Sequence, residues 1–143
     1  MKNLLWMFLL ALTACSPDVR RFVPPGADIR QMAHLIALSD PSDAFLHREG
    51  HYLFITSVDG KPSKSDWEAR ALPSDVYLTP STHRFRVLYQ HAGLTTFARL
   101  EIDAKAGATY YLHRHSSAYG VRFWLTEGEQ DGPKVGRSLP AQE

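Results

Sequence analysis

The stretch that decides the fold is residues 83–103, HRFRVLYQHAGLTTFARLEID. Its two halves, 83–90 and 95–103, alternate between apolar and polar side chains, which is the period of a strand with one buried face. Ala92-Gly93 lies between them and is typical of a tight turn. We therefore expect a hairpin with an inward and an outward set of side chains. The inward set is Phe85, Val87, Tyr89, Ala98, Leu100 and Ile102, and the outward set includes Arg84, Arg86, Phe97, Arg99 and Glu101.

Segments on both sides of this hairpin repeat the pattern. They are short, rich in aromatic and β-branched residues, and separated by turn signals, namely 33–38, 51–58, 76–79, 109–115 and 121–127. We therefore expect an all-β fold, a small antiparallel β-sandwich of about seven strands, over residues 31–128. Residues 61–75 are predicted to form a long loop. Residues 129–143 are predicted to be a flexible C-terminal tail, with Lys134-Val135 as a candidate for a short edge pairing.

The first 14 residues, MKNLLWMFLLALTA, have the three-part layout of a secretory signal peptide. Lys2 comes first, an apolar run over 4–12 follows, and the small residues Thr13-Ala14 end the segment. The run of about nine residues is too short to span a bilayer, which takes about 20. Residues 15–30 contain three prolines and one glycine without any apolar period, as expected of a flexible tether.

The segment Leu12-Thr13-Ala14-Cys15 closely resembles the lipobox of bacterial lipoproteins. The resemblance implies that Cys15 becomes the first residue and carries acyl chains such as palmitate. Several chains anchor firmly where one is marginal, because each buried CH₂ contributes about 0.8 kcal/mol. Ser16 stands where an Asp favours retention in the inner membrane of enterobacteria. The implied location is therefore the periplasmic face of the outer membrane, with the membrane itself as a partner.

Three turn motifs lie in the strand region: Val58-Asp59-Gly60, Leu78-Thr79-Pro80 with His83, and Gly107-Ala108-Thr109-Tyr110. Together they resemble small β-sandwich modules of the PEGA type and similar envelope lipoproteins, over about residues 51–127. The chain departs from that pattern at Ser81-Thr82, where the family has a glycine. Because the motifs form turns, the resemblance implies a fold and says little about activity.

The charge balance excludes one class of partner. Lys and Arg number 16 and Asp and Glu number 15, and loss of Lys2 with the signal segment leaves them equal. Nucleic-acid binding needs a concentrated basic surface, so we expect no nucleic-acid partner. Cys15 is the single cysteine, and no intramolecular disulfide can form.

Aromatic and basic side chains on the polar phase of the strands, or in the long loop, form a candidate binding surface. Such side chains carry much of the binding energy at protein interfaces. The candidates are Trp67, Arg84, Arg86, Tyr111, His113 and Trp124, with Tyr77 and Phe97 also out of phase. The alternative is that a covering loop buries part of this surface.

His113 and His115 are two residues apart on a predicted strand and so share one face. A His-x-His pair is half of a common zinc or copper site, and the third ligand would be His83, His91 or His51. No Cys, Asp or Glu flanks the pair at ligand spacing. The alternative is therefore a pair of ordinary solvated histidines.

Motifs of catalysis are missing from the sequence. It has no nucleophile elbow, no phosphate-binding glycine loop and no dinucleotide fingerprint. We therefore expect no enzyme and no cofactor, but a lipid-anchored accessory protein that binds an envelope protein or glycan. Two alternatives stay open: a periplasmic metal-binding protein using His113 and His115, and an inhibitor of a periplasmic hydrolase presenting the 61–75 loop.

Overall fold

The computed structural model describes residues 21–40, 50–63 and 72–140. The signal segment, Cys15 and Trp67 lie outside these ranges. The described chain is almost entirely strand, with one short 3-10 helix at Ile29–Gln31, so the predicted all-β fold is confirmed. No helix in these ranges is long and apolar enough to cross a membrane.

The described residues form eleven strands in two sheets. In chain order the strands are β1 (Arg21–Phe22), β2 (Ala33–Ala37), β3 (Tyr52–Val58), β4 (Lys61–Pro62), β5 (Asp75–Leu78), β6 (Thr82–His91), β7 (Leu94–Asp103), β8 (Thr109–Ser117), β9 (Gly120–Glu127), β10 (Lys134–Val135) and β11 (Arg137–Leu139). The first sheet has the order β1-β5-β2-β8-β9-β10. The second sheet has the order β11-β7-β6-β3-β4.

Most neighbouring strands are antiparallel, as predicted. The hairpin of β6 and β7 pairs from Thr82 opposite Asp103 to His91 opposite Leu94. Two pairings in the first sheet are parallel, β1 with β5 and β2 with β8. The first sheet is therefore mixed, because β2 and β8 come from distant parts of the chain and run in the same direction.

Two hairpin turns use the left-handed backbone conformation. Ala92 and Gly93 have φ of 47° and 81°, and Asp59 and Gly60 have φ of 50° and 78°. Two consecutive positive φ values match the right-handed twist of the flanking strands. Both sequence-predicted turns are confirmed.

The hydrophobic core lies between the two sheets. It is formed by the inward side chains of the long strands, whose neighbours in sequence point outward. The fully buried members include Leu35, Leu53, Ile55, Val76, Leu78, Val87, Leu100, Ile102, Tyr110, Leu112 and Leu125. Each such side chain stabilises the fold by about 1.5–3 kcal/mol relative to exposure.

The sandwich has more strands than the predicted seven and extends beyond residues 31–128 at both ends. The backbone of β1 lies within the predicted tether and pairs with β5. Strand β10 pairs with β9, and β11 pairs with β7. The candidate edge pairing at Lys134-Val135 is confirmed, whereas the prediction of a flexible tail is wrong for Arg137–Leu139, which form β11. Strands of two or three residues are too short to show alternation, which is why the sequence did not indicate most of them.

Candidate functional site

The predicted binding surface is divided between the outer faces of the two sheets. Arg84 and Arg86 lie on β6 in the second sheet. Tyr111 and His113 lie on β8, and Trp124 on β9, in the first sheet. The residues that alternate with them are core residues, so the two groups point away from the core in opposite directions. The described members thus form two separate surfaces.

His113 and Trp124 form a stacked pair on the first sheet. They are cross-strand partners with ring centroids 5.2 Å apart. The Thr126 hydroxyl donates to the Glu129 carbonyl at 2.8 Å, so at 2.9 Å it accepts from His113 Nε2–H. Burial, and then the charge of Lys134, lower the pKa of His113. The pair is half-buried and packed, and its Nε2 is already engaged.

The structure does not bring together the three histidines considered as zinc or copper ligands. His113 and His115 both lie on β8, whereas His83 is buried on the inner side of β6 in the other sheet. His83 Nδ1 lies 2.6 Å from Asp59 Oδ2, and its Nε2 lies 2.7 Å from the Thr79 carbonyl oxygen. Within residues 21–40, 50–63 and 72–140, no group of three or more His, Cys, Asp or Glu side chains is arranged to hold a metal ion.

The side chains of Ser81, His83 and Asp59 are in contact in the same spatial order as the serine, histidine and aspartate of a hydrolytic triad. Ser81 Oγ is 3.0 Å from His83 Nε2, and Asp59 contacts the other ring nitrogen. A general base must accept the serine proton on an unprotonated Nε2. The Thr79 carbonyl oxygen can only accept a hydrogen bond and lies nearer to Nε2 than the Ser81 hydroxyl does, so it competes with Ser81 for this nitrogen. His83 therefore links the turn at Asp59 to the turn at Thr79, and Ser81 has no general base.

Asp59 completes this turn cluster. Its Oδ1 accepts a hydrogen bond of 2.9 Å from the Arg84 backbone N–H, while Oδ2 faces His83. Burial acts to raise the pKa of Asp59, but the hydrogen bonds from Arg84 and His83 outweigh it and lower the pKa. The carboxylate therefore holds the turn before β4 against the start of β6.

A groove of about 890 Å³ is lined by residues of β6, β7, β9 and β11. We call it the arginine groove and define it by its charged lining and one exposed ring: Arg84, Arg86, Phe97, Arg99 and Arg122. Phe97 is 51% exposed, and the Arg86 guanidinium carbon lies 4.1 Å from its ring centroid. No Asp or Glu is among the described residues that line the groove. It therefore combines cationic hydrogen-bond donors with an exposed aromatic face.

The positive charge of the arginine groove is only partly balanced. Glu101 accepts from Arg84 Nε at 2.8 Å and from Arg137 Nε at 2.9 Å. These two hydrogen bonds lower the pKa of Glu101. Arg86 stands directly opposite Arg99 in the β6–β7 register, and like charges in such positions destabilise a sheet. Neither of them forms an ion pair within the described residues.

A second polar cluster lies near the start of β3 and the end of β6. The His51 and His91 rings are stacked with centroids 3.8 Å apart, and His51 Nδ1 is 2.6 Å from the Tyr89 hydroxyl. Arg114 points inward over the Tyr89 ring, and its Nε is buried without a hydrogen-bond partner in the described structure. Burial, and then the charges of Arg114 and His91, lower the pKa of His51. We therefore interpret the His51, His91 and Tyr89 rings as packing around the inward Arg114 side chain.

The comparisons with protein-family models, with curated proteins and with solved structures found no match for this chain. Of the groove residues, the sequence candidates included Arg84 and Arg86, and alternation placed Phe97 and Arg99 on the same side. Arg122 belongs to β9 in the other sheet, so only the packing of the two sheets places it in the groove. The loop considered for hydrolase inhibition has its residues 64–71 outside the described ranges.

Proposed function

We propose that this chain is a lipid-anchored, non-catalytic accessory protein at the periplasmic face of the outer membrane, and that it binds an envelope protein or glycan through the arginine groove. The observation that carries the proposal is the set of four arginines around an exposed Phe97 without a lining acid. Arginine and aromatic side chains are enriched at binding hot spots. The Arg86–Arg99 juxtaposition is unfavourable in the free protein, and an anionic partner would relieve it.

Two observations support a binding role over a catalytic one. In the serine, histidine and aspartate that lie in triad order, the histidine Nε2 lies closer to a backbone carbonyl oxygen, which can only accept a hydrogen bond, than to the serine hydroxyl. The arginine groove contains no candidate nucleophile with an adjacent base among its described lining residues. Its chemistry is that of charge complementarity and ring contact.

The anchor is tested by mass and fractionation in the native host. We expect the wild-type chain to begin at Cys15, to carry added acyl mass and to float with outer membrane. Cys15→Ser removes the thiol that the lipobox resemblance requires and should leave the protein out of the membrane fraction. An unmodified wild-type protein in the soluble fraction would overturn the anchored part of the proposal.

The groove is tested by capture from envelope extracts. Arg86→Ser combined with Arg99→Ser should abolish capture of the partner, because it removes two lining cations and keeps the strands. Arg30→Ser is the matched control, since Arg30 is an exposed arginine on the 3-10 helix, away from the groove. Protease treatment of the extract separates a protein partner from a glycan. Equal capture by both variants would remove the groove from the proposal.

A further inference from the structure

The outer edge of β7 is only partly covered. Strand β7 begins at Leu94, but β11 pairs with it only at Arg99, Leu100 and Glu101. No strand of the described chain pairs with residues 94–98 on that side. An edge of this kind presents backbone groups that another chain can pair with.

The backbone groups at that edge follow from the hairpin register. The Ala104 N–H donates to the Ser81 carbonyl across the β6–β7 pair. Because N–H and C=O directions alternate along an antiparallel strand, even-numbered residues of β7 face β6 and odd-numbered residues face away. The N–H and C=O of Thr95 and Phe97 therefore point out of the sheet edge. Phe97 also lines the arginine groove.

Side chains at this edge lack the usual protection. Leu94 is 69% exposed and Phe97 is 51% exposed. Natural edge strands are commonly guarded by proline, by a bulge or by inward charges, and residues 94–98 contain no proline and pair regularly with β6. Strand β9 has a similar uncovered edge, because β10 pairs with it only at Leu125 and Thr126. That edge is less suited to strand addition, because its large side chains Val121 and Phe123 are partly buried.

We propose that an extended acidic segment of a partner protein adds as a strand to the β7 edge, in line with β11. Its backbone would pair with Thr95 and Phe97, and its carboxylates would meet Arg86, Arg99 and Arg122. The inference rests on the proposed function and names the chemistry of its partner. Strand addition takes affinity from main-chain hydrogen bonds and specificity from side chains. A second copy of this chain is a poor occupant, because pairing two β7 edges would bring their arginines together.

The probe is a fluorescein-labelled peptide of eight alternating valine and glutamate residues, titrated by fluorescence anisotropy into the full chain as its host processes it. We expect saturable binding that weakens with salt. Thr95→Pro removes the edge N–H and leaves the β6 side intact, so it should weaken binding by about tenfold or more. Thr95→Ala keeps that N–H and should bind within about twofold of wild type. Arg99→Ser should weaken binding and reduce its salt dependence.

A second probe keeps the test independent of how Thr95→Pro folds. The same peptide with alternate N-methylated amides retains its charges but cannot complete a strand pairing, so it should lose binding. Equal binding of both peptides, or no binding of the parent peptide, overturns strand addition.

Two further outcomes also contradict the inference and separate it from the proposed function. Binding of an acidic polysaccharide that depends on Arg86 and Arg99 but not on Thr95→Pro would leave the groove as a binding site without an added strand. A dimer in sedimentation that Thr95→Pro abolishes, without peptide binding, would make a second copy the occupant.

Discussion

Among single residues, Asp59 ties the β3–β4 turn to the start of β6. It accepts hydrogen bonds from His83 and from the Arg84 backbone, and it stands at φ of 50°. Asp59→Asn keeps a residue that tolerates this backbone and removes the charge. We expect the free energy of unfolding to fall by about 1 kcal/mol, measured in urea. Asp131→Asn, at an exposed carboxylate outside the strands, is the control and should change little.

The charge of Asp59 also sets an acid dependence. Its pKa in the folded chain is lowered from 3.8, so below about pH 4 the unfolded chain binds the proton more readily. The stability from this carboxylate is complete at neutral pH and is lost as the pH falls through the folded-state pKa. Asp59→Asn should remove that part of the acid slope. An unchanged slope would mean that other carboxylates account for it.

Tyr110 is the largest fully buried side chain, and its hydroxyl has backbone partners. The Lys105 N–H donates to this oxygen at 3.1 Å, and the hydroxyl lies 3.4 Å from the Asp103 carbonyl. Tyr110→Phe leaves a buried N–H without its acceptor and should cost about 1–2 kcal/mol in urea unfolding. Tyr119→Phe, at a fully exposed tyrosine, should be neutral. Equal effects of the two changes would contradict the role of the hydroxyl.

At the scale of an element, the β6–β7 turn holds an unfavourable residue. Ala92 has φ of 47°, a conformation that alanine adopts only at a cost, and Gly93 follows it. Asn-Gly is the favoured pair for such a turn, so Ala92→Asn should stabilise the protein by about 0.5–1 kcal/mol. Ala118→Asn, in the β8–β9 turn without a positive φ, is the control. Thermal unfolding of the two variants would decide between a turn effect and a general effect of asparagine.

Gly136 lets the chain leave β10 in one sheet and enter β11 in the other. It has φ of 69°, and a Cβ there would lie 2.5 Å from the Glu101 carbonyl oxygen. Gly136→Ala should lower the free energy of unfolding by about 2 kcal/mol or more. Gly128→Ala carries a similar φ of 82° with open space at the Cβ, and should cost about 1 kcal/mol. Equal losses of unfolding free energy in the two variants would mean that the backbone around Glu101 moves to accommodate the added methyl group without a further cost.

The elements found from sequence are those long enough to display a period. Strand β6 and strand β7 each show five or more alternating positions, so both their extent and their inward faces were predictable. Strands β1, β4, β10 and β11 have two or three residues, and their pairing depends on where the long strands place them. For this reason the sequence predicted a flexible tail where Arg137–Leu139 form β11.

At the scale of the whole molecule, two histidines make the stability of the fold depend on pH. The pKa values of His51 and His113 are both lowered from 6.5 in the folded chain. The unfolded chain therefore binds more protons just below this pH, and stability should fall as the pH drops from about 7 to 5. His113→Gln keeps an N–H for Thr126 and should flatten part of the decline, whereas His115→Gln, at the exposed end of β8, should not. Urea unfolding across this pH range is the measurement.

The candidate site was harder to predict than the fold. Alternation correctly placed Arg84, Arg86 and Trp124 on outer faces, but it carries no information on which sheet a strand joins. Strand β9 joins the first sheet and β6 the second, so residues expected on one surface lie on two. The presence of Arg122 and Arg99 in one groove depends on the same long-range packing.

The parallel pairing of β2 with β8 constrains the order in which the strands can fold. Residue 34 meets residue 109, so β2 has no partner on that side until most of the chain is present. The hairpins β6–β7 and β8–β9 join residues close in sequence and can form first, while closure of such long loops slows folding to milliseconds or longer. In a chain that emerges N-terminus first, the apolar segment Ala33–Ala37 is exposed before its partner β8 has been made. We therefore expect this sandwich to begin folding in its C-terminal half, with β2 joining β8 late.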